Sequence, residues 1–320
     1  MREWLRRHGV RLLVGVVAAA AVVVALRGRV PHPADVVSVL AAADFRWLAA
    51  AVLGQFLSQA AFARQQRALL SAFAVQVSRG DALAITYSRS AMSMVLPAGS
   101  AMSAAFALRQ YRRRGASTSA AATVMVLSAM VSVVGLALLY AGTIGPGALP
   151  LIGALAVLSG VLVLLRRRPA ADAEKPAREA RWRWVGRALA QVRVIAAQTR
   201  SVRSRHWAAA IAFAVLNWLL DLGCLVTVAH AVDLPLGFFP LATVYLAVQV
   251  VRQIPLTPGG VGLIEASLLT GLVAAGAPQA SAAAVVLGYR VVSFWLLLPA
   301  GLFAYLRLNR RAGETPVTAV

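Results

Sequence analysis

Cysteine, histidine and acidic residues are scarce in this 320-residue chain. A single cysteine excludes an intrachain disulfide and a cysteine metal cluster. The four histidines (His8, His32, His206 and His230) lie far apart without metal-ligand spacing, so we expect neither a metal site nor a cofactor. The chain also lacks a paired-carboxylate or nucleotide-binding motif, which predicts a protein that is not an enzyme.

Hydrophobic residues, by contrast, are abundant: they make up 60% of the chain, and the mean hydropathy is +0.74. They occur in long blocks, which predicts an all-α polytopic membrane protein. Six blocks are near the roughly 20 residues that cross a hydrocarbon core of about 30 Å. These predicted full spans are 10–26, 47–63, 119–141, 149–165, 207–231 and 280–306. Two further blocks, 81–110 and 239–275, are interrupted by proline and glycine.

The net charge of +21 comes mainly from arginines beside the apolar blocks, without interleaved aromatic residues. This pattern favours membrane lipids over nucleic acid as partners. If the basic N-terminus is cytoplasmic, the basic loop 166–206 and the C-terminal tail are cytoplasmic as well, provided that block 81–110 enters and leaves on one side. The outer connections around 142–148, 232–238 and 276–279 then contain no lysine or arginine. We therefore expect a multi-pass protein of the cell membrane with both termini in the cytoplasm.

Residues 96–133 align without a gap on residues 257–294, at a constant offset of 161 positions. Eleven of the 38 aligned residues are identical, against roughly four expected by chance, which indicates an internal repeat. With the charge-derived topology, the sequence predicts one transmembrane domain, 1–320, made of two inverted repeats at about 45–165 and 207–310. It contains about six full spans plus two re-entrant helical hairpins. Inverted repeats with broken helices are typical of secondary transporters.

The breaks in the two hairpins provide the first candidate site residues. Proline and glycine end a half-helix and release backbone groups, and the positive end of the next half-helix favours an anion. The candidates for substrate binding at the breaks are Pro97, Gly99, Pro258, Gly259, Gly260 and Gly262.

Five charged residues within apolar segments complete the predicted substrate site, because charges at this depth are costly and usually functional. They are Asp221, Glu265, Arg89, Arg252 and Arg290. The excess of one positive charge predicts an anionic substrate group. The alternative is that Glu265–Arg290 and Asp221–Arg252 are buried ion pairs that hold helices in register.

The stretches "PLTPGGVGLIEASL" and "GYRVVSFWLLLPAG" resemble the signature of the flippase-like membrane domain of lysylphosphatidylglycerol synthases and their stand-alone relatives. The matching residues are Pro258, Gly259, Gly260, Gly262, Glu265 and Arg290. The resemblance implies a lipid translocator that moves an anionic phospholipid or a polyprenyl-linked lipid between leaflets. The first repeat departs from the family pattern, because Ala101, Met102, Ala104 and Ala105 stand where many relatives carry an acidic residue and an arginine.

Two other functions fit the same sequence. One is a transporter of a small soluble anion, which would use the same site closed off from the bilayer. The other is a non-transporting membrane scaffold for cell-envelope glycosyltransferases, which would make cell-envelope biosynthetic enzymes its partners.

Overall fold

The computed structural model describes residues 32–96, 99–144, 197–199, 202–252 and 258–313, and every regular element within them is helical. The helices are α1 (Pro33–Ala41), α2 (Phe45–Ser71), α3 (Arg79–Val95), α4 (Gly99–Arg112), α5 (Thr118–Ile144), α6 (Ser204–Ala231), α7 (Phe238–Val251), α8 (Leu263–Ala274), α9 (Gln279–Arg290) and α10 (Leu297–Gly313). The predicted spans 10–26 and 149–165 and most of the basic loop 166–206 lie outside the described residues.

Three helical segments in the described part of the chain are long and apolar enough to cross a membrane: Thr118–Thr143, Ser204–Ala231 and Gln279–Arg310. They coincide with the predicted spans 119–141, 207–231 and 280–306, because sustained apolar composition is itself the signal for a span. A fourth crossing is formed if α1 and α2, which are bent by 91° at a short break, count as one span. The prediction of an all-helical membrane protein is thus confirmed.

The two interrupted blocks form pairs of shorter helices. Helices α3 and α4 have 17 and 14 residues, and α7 and α8 have 14 and 12. At a rise of about 1.5 Å per residue, none of the four reaches the roughly 30 Å of a hydrocarbon core. Each helix is therefore too short to cross alone.

Helix α1 was not predicted from the sequence. Pro33 occupies its first turn, where the missing N–H costs nothing and the fixed φ suits a helix. The Asp44 carboxylate then accepts a hydrogen bond from the Arg46 N–H (2.8 Å), which caps the start of α2. The Asp44 N–H donates to the Ala231 carbonyl oxygen (2.8 Å), so the bend is tied to the end of α6. Helix α1 packs against α9.

The chain divides into two compact units. The first contains residues 1–60, 83–105 and 219–320, and its helices approach one another at glycines. A Cβ atom on Gly271 would lie 2.7 Å from a methyl group of Val244, and one on Gly288 would lie 2.8 Å from a methyl group of Val228. Small residues at such contacts are the usual means of packing helices in a membrane, because they let backbones come close.

The second unit contains residues 61–82 and 106–218, and its interior is joined by uncharged polar groups. The amides of Gln65 and Gln66 both donate to Ser128 on α5. Gln66 also accepts a hydrogen bond from the Tyr111 hydroxyl (3.1 Å), and Trp218 donates to the Ser132 carbonyl oxygen (2.8 Å). Such hydrogen bonds contribute about 1 kcal/mol each to helix association in membranes.

Candidate functional site

The breaks of the two interrupted blocks meet in the first unit. A Cβ atom on Gly99 would lie 2.6 Å from the carbonyl oxygens of Met92 and Ser93, so α4 begins beside the last turns of α3. A continuous helix would place Gly99 about 10 Å beyond Met92. Gly259, in the second break, lies against Met94 in the same way, with its hypothetical Cβ 2.6 Å from the Met94 carbonyl oxygen.

The second break is shaped by a 3-10 turn at Pro258–Gly260, followed by α8. Gly259, Gly260 and Gly262 all have positive φ, at 62°, 67° and 85°. Glycine suits all three positions, because a Cβ atom makes the left-handed backbone conformation costly for other residues. The "PGGVG" stretch is therefore what allows the chain to leave the turn and enter α8.

Glu265 occupies the start of α8. It is the third residue of the helix, and one of its carboxylate oxygens accepts a hydrogen bond from the Gly262 N–H (2.7 Å). Its other oxygen accepts from Nε of Arg290 (2.6 Å). A carboxylate of the chain itself therefore fills part of the positive helix end that the sequence predicted as a place for a foreign anion.

Arg290 is the last residue of α9, and it is held on two sides. Its residue exposure is only 5%, and its guanidinium carbon lies 4.3 Å from the centre of the Phe294 ring, in addition to the ion pair with Glu265. A π-helical turn, Val291–Trp295, follows directly. The Leu296 N–H donates to the Val291 carbonyl oxygen (2.8 Å), and Pro299, four residues after Trp295, has no N–H for the Trp295 carbonyl oxygen. Single π turns are frequent at functional sites.

Asp221, on α6, is the centre of a second polar group. Its residue exposure is 6%, and one carboxylate oxygen accepts hydrogen bonds from the hydroxyls of Tyr245 on α7 (2.7 Å) and Tyr289 on α9 (3.2 Å). Both tyrosines are almost completely buried. Since Tyr289 and Arg290 are adjacent on α9, the Asp221 group and the Glu265 group form one continuous polar cluster.

Arg252, directly after α7, is bound more loosely than Arg290. Its Nη1 lies 3.8 Å from the Asp221 carboxylate, and its Nη2 donates to the Tyr289 hydroxyl over 3.4 Å. Its Nε is buried without a hydrogen-bond partner among the described residues. The side chain as a whole is 32% exposed. Of the two arginines in the cluster, Arg252 thus has the greater remaining capacity to bind an acceptor.

The sequence model of the family described as the lysylphosphatidylglycerol synthase transmembrane region matches residues 11–301 of the chain. This chain belongs to that family. The match covers both hairpin breaks and all four charged residues of the cluster, and it confirms the resemblance seen in the sequence. A search of curated proteins gave no match.

The structure brings Asp221, Arg252, Glu265 and Arg290 of this family member together, in the two ion pairs that the sequence offered as an alternative. Arg89 is partly buried on α3. Gly99 and Gly259 line the meeting point of the breaks, while Pro97 lies outside the described residues. Within the described ranges, no group of three or more histidine, cysteine, aspartate or glutamate side chains is placed to hold a metal ion.

Sequence reasoning missed three residues of the cluster, Tyr245, Tyr289 and Phe294. Tyr245 was detectable, because Tyr245, Gln249 and Arg252 are spaced by four and three residues and so share a face of α7. Phe294 was equally detectable, because it lies four residues after Arg290 and would share its face of a regular helix.

Proposed function

We propose that this protein moves a lipid with an anionic head group between the leaflets of the cell membrane, with the phosphate of the lipid contacting Arg252. The protein would act as a transporter and not as an enzyme. Membership in a family named for the membrane region of a lipid-modifying synthase supports a lipid substrate. The observation that carries the proposal is the loose coordination of Arg252 within an otherwise paired cluster.

The assignment to Arg252 follows from comparing the two arginines. Arg290 is committed to Glu265 at 2.6 Å and to the ring of Phe294, so a phosphate would have to break contacts that already exist. Arg252 has a buried donor without a partner among the described residues, and leaving such a group unsatisfied costs about 1–3 kcal/mol. A phosphate oxygen would satisfy it, and the planar guanidinium suits two parallel hydrogen bonds to phosphate.

A lipid is favoured over a small soluble anion by the surface next to the cluster. Leu287, Val291 and Trp295 recur every four residues along α9 and the π-helical turn, and they are 49%, 54% and 60% exposed. This stripe belongs to the same stretch of helix as Tyr289 and Arg290. An apolar surface of this kind suits acyl or prenyl tails that stay in the bilayer while the head group reaches the polar cluster.

We further propose that the two halves are inverted repeats, which would let one half move against the other around the site. The first residues of α2, α3, α4 and α5 precede those of α6, α7, α8 and α9 by 159 to 164 positions, close to the sequence offset of 161. The opposite orientation of the halves, the two re-entrant hairpins and the cytoplasmic termini remain part of this proposal. They rest on the distribution of lysine and arginine.

The test is lipid movement in vesicles that contain the purified full chain. Fluorescent phosphatidylglycerol and phosphatidylcholine are followed separately while an impermeant reagent quenches the outer leaflet. We expect phosphatidylglycerol to move faster, and we expect Arg252→Lys to slow it by roughly tenfold to a hundredfold, the equivalent of one hydrogen bond to a charged group. Arg307→Lys, at an exposed position on α10, is the matched control and should have no effect.

Equal movement of both lipids, or movement that Arg252→Lys leaves unchanged, would contradict a head-group site at Arg252. Uptake of a soluble anion without lipid movement would instead favour the small-anion transporter. If neither lipid nor anion moves, the scaffold function becomes the better explanation.

A further inference from the structure

The second unit contains an arginine-lined cavity that the proposed transport site does not use. Its volume is about 330 Å³, within the range of roughly 300–1,000 Å³ that is usual for ligand pockets. It lies at the end of α2, the connection to α3 and the first residue of α3, and Phe213 on α6 closes one side. Its polar lining includes Arg64, Arg67 and Arg79.

The fold fixes the direction of two of these arginines. Arg64 and Arg67 are three residues apart on α2 and so lie on one face of the helix. Nε of Arg67 donates to the carbonyl oxygen of Val77 (2.8 Å), which holds the guanidinium against the α2–α3 connection. The guanidinium carbon of Arg64 lies 5.9 Å from the centre of the Phe213 ring. Arg67 is thus held against the wall of the cavity, and Arg64, although exposed, lies beside the Phe213 ring at its edge.

No carboxylate is among the described residues that line the cavity. Asp81 is the nearest acidic residue along the chain, and it is paired with Arg114 at 3.3 Å. Gln110 holds the other side of that arginine, because its side-chain oxygen accepts from Arg114 Nη1 (2.7 Å). Three positive charges therefore converge on one cavity whose own lining offers no negative charge. Like charges brought together in this way are stabilised by a bound anion.

We propose that this cavity is a binding site for a phosphate group, presented either by an anionic lipid of the adjoining leaflet or by a soluble phosphomonoester. Guanidinium groups bind phosphate oxygens through paired, charge-assisted hydrogen bonds, and three arginines suit a doubly charged phosphomonoester. A preference for basic residues on the cytoplasmic side accounts for arginines in this region. That preference does not account for the convergence of these arginines on a cavity, or for the hydrogen bond from Arg67 to the Val77 carbonyl oxygen. The proposal is independent of the transport function.

The test counts bound lipid by native mass spectrometry of the purified full chain in detergent, with dioleoyl phosphatidic acid and, separately, dioleoyl phosphatidylcholine. We expect phosphatidic acid to bind more tightly. In the Arg64→Gln, Arg79→Gln double variant, the affinity for phosphatidic acid should fall by about tenfold or more, because one hydrogen bond to a charged group is worth at least that factor. The Arg64→Lys, Arg79→Lys pair keeps both charges and should retain part of the affinity.

The matched control is the Arg112→Gln, Arg113→Gln double variant, which removes the same charge from two exposed arginines of the same unit. It should bind phosphatidic acid like the unchanged protein. A separate arm adds glycerol 3-phosphate: displacement of the lipid supports a phosphate site filled from solution, and resistance supports a lipid site. Equal binding of phosphatidylcholine, no loss in the Arg64/Arg79 variant, or an equal loss in the control pair would overturn the proposal.

Discussion

The close approach of Gly259 to Met94 gives the sharpest test of how the two breaks meet. Replacing Gly259 with alanine introduces two separate costs. The backbone there has a φ of 62°, where an alanine costs about 1–2 kcal/mol. The new methyl group would also lie 2.6 Å from the Met94 carbonyl oxygen and 2.7 Å from the Phe294 ring. Overpacking of this kind costs about 1–3 kcal/mol.

Together these costs predict a loss of about 2–5 kcal/mol in the free energy of unfolding for Gly259→Ala. Two control variants separate the contributions. Gly276→Ala has the same kind of backbone strain, with a φ of 100°, but no atom lies within 4 Å of the added methyl group. Its loss of stability should therefore report the backbone strain alone. Gly142→Ala has neither, and because Gly142 lies within α5 its stability should stay the same or rise by up to about 1 kcal/mol.

The assay uses Cys224, which is fully buried on α6 and is the single cysteine of the chain. A maleimide dye that becomes fluorescent on reaction reports the temperature at which this thiol becomes accessible. We expect the midpoint temperature of thiol labelling to be highest for Gly142→Ala, lower for Gly276→Ala and lowest for Gly259→Ala. If Gly259→Ala is as stable as Gly276→Ala, Gly259 does not touch Met94, and the two breaks do not meet as described.

Two further predictions concern the charged cluster and the topology. Glu265→Gln should destabilise the protein by about 3–5 kcal/mol, because it leaves the buried charge of Arg290 without its partner. Arg290→Gln should cost less, because the Glu265 side chain that it leaves is 29% exposed. The double variant should lose less than the sum, by an interaction energy of about 0.5–3 kcal/mol, and additive losses would mean that the two side chains act separately. In a Cys224→Ala background, cysteines at Arg112 and Gln279 should react with impermeant maleimide from the inside and the outside respectively. Labelling of both from the same side would refute the inverted repeats.

The sequence was sufficient to predict where most of the described helices lie, although not α1, and where the two interrupted blocks break. Helices α5, α6 and α9 begin within three residues of the predicted spans, because a span is signalled by a continuous apolar run and a break by proline and glycine. These are local properties of the chain. The family resemblance was equally local, since it depended on two short stretches around Gly260 and Arg290, and the family match confirmed it.

Only the tertiary structure decided how the charges are used. The sequence left open whether Asp221, Glu265, Arg252 and Arg290 were ion pairs or substrate contacts. Their distances show one tight pair, Glu265–Arg290, and one loose pair, Asp221–Arg252, whose two members both bind the Tyr289 hydroxyl. The hydrogen bond from Tyr289 to Asp221 joins residues 68 positions apart, so it depends on how α6 and α9 pack and not on any local pattern. Composition and spacing place a charge at a depth in the membrane, but the packing of distant helices determines which partner neutralises it.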